Sequence, residues 1–119
     1  MPAGKYDLAI DKGFGWAFDT TWNDSDGNPI DLTDWTASMK IRPNYADQTT
    51  VTYYSLSTTT GEIVLGGTEG TIAMTLTDAQ TDTIPPGPAV YDLRMTNPSG
   101  VSTKLLWGIV TVYDEVTDE

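Results

Sequence analysis

The residues best suited to chemistry in this chain are acids. Asp24-Ser25-Asp26-Gly27-Asn28 clusters oxygen donors on a tight turn, the donor type that a hard cation such as calcium takes. The pattern is incomplete. An EF-hand loop needs an acid two residues before Asp24, where Trp22 stands, and a distal bidentate Glu that is missing here. A solvated hairpin turn accounts for the segment without a metal. Paired carboxylates can also serve as general acid and base, and seventeen Asp plus Glu supply many candidates. Most fall among turn formers, where water keeps a carboxylate ordinary; Asp19, Asp31 and Asp92 are the acids flanked by strand-type residues. The chain contains no His and no Cys, and no Ser framed by glycines, so no nucleophile has an evident base. No catalytic residue, metal ligand or cofactor site is predicted, and the chain is expected not to be an enzyme.

The second chemistry on offer is aromatic. Four Trp and six Tyr supply flat rings that stack on sugars or anchor protein interfaces. Side chains two apart on a strand share a face, so Trp16 sides with Phe14 and Phe18 and is assigned to the core. Trp22 at the turn and Trp107, opposite the Leu106-to-Val112 face, are harder to bury, and the adjacent Tyr53 and Tyr54 face opposite ways. Trp22, Tyr53, Tyr54 and Trp107 are therefore the candidate partner contacts.

The elements that must position these rings are strands. Phe14 to Ile41 reads as strand, turn and strand, with Asp26-Gly27 suited to positive φ, Pro29 unable to donate a ladder hydrogen bond, and a one-residue phase change around Thr33-Asp34. Before it, Tyr6, Leu8 and Ile10 share one face of a short strand, and Met1 to Lys5 is expected to be an arm. After it, Pro43 ends a strand, Asn44 to Thr50 is a polar loop, and Val51–Leu56 is strand-prone. Glu62–Leu65 and Thr71–Thr77 suit a hairpin, Pro88–Thr96 and Thr103–Tyr113 are further strands, and Asn97-Pro98-Ser99-Gly100 is a β-turn. The one helical signal is the capping-box pair Thr77 and Gln80, confined to a turn near 77–83 by Pro85 and Pro86. Short strands at this spacing predict a single all-β domain over 1–119, an antiparallel sandwich of about seven to eight strands with short terminal arms.

Composition narrows the partners. At 119 residues the chain can bury one modest core, and its formal net charge of −11 repels phosphate backbones and anionic membranes at long range. No nucleic-acid or membrane partner is expected. Neither an apolar run of spanning length nor a basic-then-apolar N-terminus is present, so an export signal is not expected either. The acidic surface would keep free subunits soluble until a complementary basic surface receives them.

Several of these pieces, in this order, resemble a family of small phage virion proteins. The family opens with an I-x-x-G-x-x-F strand and continues W-x-D-S-D-G-x-P-I-D-L-T-x-x-T-A-x-M-x-I-R. The matching residues are Ile10 to Phe18, Trp22 to Thr33 and Trp35 to Arg42, followed by Val90-Tyr91-Asp92-Leu93-Arg94 before the Asn97 turn and Leu105 to Val112. Gly13 departs from the family opening in being followed directly by Phe14. The layout is also similar to the N-terminal domain of phage baseplate upper proteins. The resemblance implies an immunoglobulin-like β-sandwich that acts in the virion, after assembly in the host cytoplasm, as a tail, baseplate or neck component. It implies other virion proteins as partners, in multiple copies or as a homo-oligomer, and it carries over no catalytic residue or cofactor. A capsid decoration protein and a glycan-binding module are the alternatives.

Overall fold

The computed structural model describes residues 4–43 and 52–114. They form nine strands: β1 (Gly4–Lys5), β2 (Leu8–Asp11), β3 (Trp16–Thr21), β4 (Thr36–Arg42), β5 (Tyr54–Ser57), β6 (Ile63–Leu65), β7 (Thr71–Leu76), β8 (Gly87–Thr96) and β9 (Ser102–Tyr113). One sheet runs β1-β9-β8-β4-β5, with β2 also on β9, and the other runs β3-β7-β6. Two sheets of this strand order, joined face to face over one core, make the chain an all-β immunoglobulin-like sandwich.

Alternation writes the core. In β4, Ala37, Met39 and Ile41 are buried between Ser38, Lys40 and Arg42; in β8, Ala89, Tyr91, Leu93 and Met95 do the same. Ile72, Met74 and Leu76 of β7 face them from the smaller sheet, and Ile63 of β6 completes the β6–β7 hairpin. The capping box forms: Gln80 N donates to Thr77 Oγ1 at 3.2 Å and Thr77 N donates to Gln80 Oε1 at 2.8 Å, opening the single-turn helix α1 (Asp78–Thr81). Asn97 Oδ1 accepts from Ser99 N and Val101 N and fixes the β8–β9 turn.

Three expectations change. Trp16–Thr21 and Thr36–Arg42 do not pair; β3 pairs with β7, and β4 with β5 and β8, so the connector crosses from one sheet to the other. Its apolar residues make that crossing favourable, since Leu32 is buried and Ile30 and Trp35 pack on the core, while Asp34 takes a φ of 65° at the bend. Secondly, Gly4–Lys5 is strand rather than arm, and β1 and β2 lie parallel to β9 in an otherwise antiparallel sandwich. Thirdly, Tyr6 lies between β1 and β2, half exposed, with its ring 5.1 Å from that of Phe18, so it does not join Leu8 and Ile10 in the core; Phe14 is exposed as well. The Asn44–Thr50 loop, Val51, Met1–Ala3 and the tail beyond Asp114 lie outside the described residues.

Candidate interaction surface

The outer face of the six-stranded sheet follows from the same alternation that fills the core. On β4 the residues turned away from Met39 and Ile41 are Ser38, Lys40 and Arg42, and on β8 they are Val90, Asp92 and Arg94. Register sets them side by side: Ser38 opposes Arg94, Lys40 opposes Asp92 and Arg42 opposes Val90. A groove of about 300 Å³ runs between these two rows. Across β8, Asp92 opposes Trp107 and Val90 opposes Ile109. The centre of the face is thus Trp107, Asp92, Val90 and Ile109, with Ile109 44% exposed.

Two departures from regular strand geometry complete it. Strict alternation along β9 would put Lys104 on the inner side with Leu106, Gly108 and Val110. The register slips by one residue between Leu93 and Arg94, so Leu93 opposes Leu106 while Arg94 opposes Lys104, and Leu105 is the extra residue of a β-bulge. The slip turns Lys104 outward, where its Nζ lies 3.8 Å from Asp92 Oδ2. The second departure is β1, whose Lys5 opposes Trp107 and sets its ammonium 6.0 Å from the indole centroid, within cation–π reach.

Charge is therefore segregated. Lys5, Lys40, Arg42, Arg94 and Lys104 share this face, leaving Lys12 as the one other cation of the six in the sequence. Neither Lys40 nor Arg94 has an ion-pair partner among the described residues. In contrast, Asp24, Asp26, Asp31, Asp34 and Glu69 are exposed at one end, where loop 22–35 meets turn 66–70. Backbone hydrogen bonds tie that end together: Trp22 N to Gly70 O at 2.8 Å, Ile30 N to Trp22 O at 2.9 Å and Leu32 N to Gly67 O at 2.8 Å. The hydroxyl and backbone N–H of Thr33 both donate to Asp31 and hold its carboxyl below the ordinary value of 3.8. In the calcium-like turn, Asp24 Oδ1 accepts from Asp26 N at 2.9 Å and Asn28 N at 3.0 Å, so this carboxylate fixes the turn backbone. Among the described residues no three His, Cys, Asp or Glu are grouped to hold a metal ion.

The four predicted contacts separate. Trp107 lies half-buried at the centre of the outer face. Trp22 does not lie on the surface: it is 8% exposed, and its ring meets Trp35 edge-on at 5.4 Å, because loop 22–35 folds over the end of the core. Tyr54 opposes Ile41 and so faces inward; burial, with the Glu62 carboxylate nearby, raises its phenol above 10.0. Tyr53 also packs partly on the core. The basic ring around Trp107 was missed from sequence, although one signal was there: Lys40, Arg42 and Arg94 each alternate with strand residues that must be buried, whereas the acids gather in turns.

No family model matches the sequence, and no curated protein matches it. Among solved structures, the chain is similar to the extracellular domain of the voltage-gated sodium channel β4 subunit, described as a parallel homodimer with a role in cell–cell adhesion. Identity is 12%, coverage 98% of this chain and 97% of that one, and the TM-score 0.46. It is also similar to Tim-1, at 15% identity, full coverage of both chains and a TM-score of 0.46. Extracellular domains 3–5 of Drosophila OTK give 13% identity, 98% coverage of this chain against 34% of that one, and a TM-score of 0.39. At these identities and scores, partners and function are not carried over from any of the three.

Proposed function

We propose that the chain is a non-enzymatic structural component of a phage virion, in the tail, baseplate or neck, and that it joins larger parts through the outer face of its six-stranded sheet. One observation carries the docking half of this reading: a chain of net charge −11 gathers five of its six cations around a half-buried Trp and two apolar neighbours. An aromatic anchor ringed by charge is the usual anatomy of a protein contact, the ring excluding water from the centre while the charges choose the partner. The virion half rests on the sequence resemblance, from Ile10 through Val112. Immunogold labelling of purified particles with an antibody to the chain tests it. Gold confined to the neck or tail end supports the reading, and gold spread over the head replaces it with capsid decoration. Absence from both intact and dissociated particles overturns it.

Trp107 also favours a second reading, a glycan-binding module, because an indole on an open sheet face can stack on a sugar ring. Binding to a glycan panel that disappears in Trp107→Ala without unfolding supports that module. No binding across the panel removes it.

A further inference from the structure

Resting on this docking reading, we infer that the occupant of the basic face is the acidic loop end of a second copy of this chain, so that copies associate head to tail. The face cannot pair with itself. A two-fold contact would bring two patches of the same sign together, each with Lys5, Lys40, Arg42, Arg94 and Lys104 against only Asp92 and, beside Ile109, Asp7, and like-charged patches are repulsive. Its complement must be acidic, and every copy carries such a surface in equal number: Asp24, Asp26, Asp31, Asp34 and Glu69 on an end tied together by backbone hydrogen bonds. That end is pre-organised, so little ordering entropy is lost when it docks. Asp31 is held ionised by Thr33, so its charge persists in mildly acidic solution. Whole copies repel through their net charge, which confines the attraction to surfaces within a Debye length of roughly 8 Å at physiological salt and makes it specific to this orientation. A head-to-tail contact closes into a ring or continues as a filament, and either repeats the chain along a particle.

Sedimentation velocity of the full chain over rising concentration tests the inference, using two charge-reversed variants. Lys40→Glu/Arg94→Glu cancels the positive charge of the face; Asp26→Lys/Glu69→Lys cancels most of the negative charge of the end while keeping Asp24 and Asp31, whose carboxylates fix turns. The wild type should associate reversibly, and each variant alone should lose about tenfold or more in association constant, as reversal of close charge pairs does. An equimolar mixture of the two variants should recover association, since the reversed positions on the face of one are again opposite in sign to the reversed positions on the end of the other. Circular dichroism of each variant checks that it is folded. A monomeric wild type, variants that associate undiminished, or a mixture that stays monomeric each overturn the inference. Saturation of the face by an oligonucleotide with the wild type monomeric overturns it in favour of a polyanion. Docking onto particles separates this failure from failure of the docking reading. If Lys40→Glu/Arg94→Glu blocks docking while the wild type is monomeric, the partner is another virion protein; if docking is unaffected, the outer face is not the docking surface.

Discussion

Gly108→Ala tests how the N-terminal strands are held on β9. Gly108 opposes Tyr91 on β8, and the chain at Tyr6-Asp7 passes directly over it. A methyl group there would fall on the Tyr6 carbonyl oxygen, 2.8 Å from its carbon and 2.9 Å from an Asp7 carboxylate oxygen. Backbone must move, and three hydrogen bonds run through the segment that moves: Tyr6 N to Trp107 O at 2.8 Å, Tyr91 Oη to Tyr6 O at 2.6 Å, and Ile109 N to Asp7 Oδ1 at 3.0 Å. Overpacking of this kind costs about 1–3 kcal/mol. Loss of one buried bond adds about 1 kcal/mol, and the reduced freedom of the unfolded chain returns about 0.5 kcal/mol. The net expectation is destabilisation by about 1.5–3.5 kcal/mol, which at typical urea slopes lowers the midpoint by about 1 M. Urea unfolding followed by circular dichroism reads the shift. Tyr91→Phe removes only the hydroxyl bond and should cost about 1–2 kcal/mol. Because both act through Tyr6, the double variant should cost less than the two single losses together, by about 0.5 kcal/mol or more. A Gly108→Ala midpoint equal to wild type, or strict additivity, refutes the reasoning.

Further expectations concern the tryptophans, a buried threonine and acid stability. Trp22→Ala empties a core site and should cost about 3–5 kcal/mol, while Trp107→Ala on the outer face should cost under about 1 kcal/mol yet weaken docking; the reverse ranking in urea would refute the placement of the two rings. Thr81, fully buried, donates its hydroxyl to Phe14 O at 2.8 Å and accepts from Gly13 N at 3.1 Å, so Thr81→Val should cost about 2 kcal/mol by leaving both backbone groups without that partner. A neutral effect in thermal melts would show that water replaces the hydroxyl. The lowered pKa of Asp31 means that its stabilisation is present above the ordinary value of 3.8 and is lost as pH falls through the folded value. Thermal melts of wild type and Asp31→Ala should therefore differ at about pH 6 and converge towards about pH 2, and a constant difference would contradict the linkage.

Local features of this fold were legible in the sequence, and long-range ones were not. The faces of β4, β7 and β8, the Thr77–Gln80 capping box and the Asn97 turn are each encoded within a few residues, and period-two patterning or cap chemistry is enough to find them. Sheet partners are not so encoded. Trp16–Thr21 and Thr36–Arg42 are both amphipathic, and nothing local says that they lie in different sheets. The signal was the connector, which at residues 22–35 is longer than hairpin loops usually run and is studded with Trp22, Ile30, Leu32 and Trp35. Trp22 was misplaced for the same reason: a residue beside a turn is exposed only if the turn does not fold back over the core. The parallel placement of β1 and β2 had no sequence mark, since parallel partners are set by distant β9.

The irregularities of β9 determine what the outer face can bind. With regular alternation, Leu106, Gly108, Val110 and Lys104 would all face the core, and an ammonium there costs several kcal/mol unless paired. The sequence of β9 is compatible with a sandwich only if the register shifts between Leu106 and Lys104, and the observed slip lies there. The shift has a consequence beyond relieving that conflict, because it sets Lys104 beside Arg94 and next to Asp92. Gly108 acts in the same direction from the other side: by admitting the Tyr6 backbone it lets β1 run parallel to β9, covers an edge that would otherwise be open, and delivers Lys5 to Trp107. Two of the five cations thus reach the face only through departures from regular sheet geometry. Deleting Leu105 would then make Lys104 and Leu106 neighbours that alternate to opposite faces without a bulge, so the deletion should leave Lys104 on the outer face and keep its basic character.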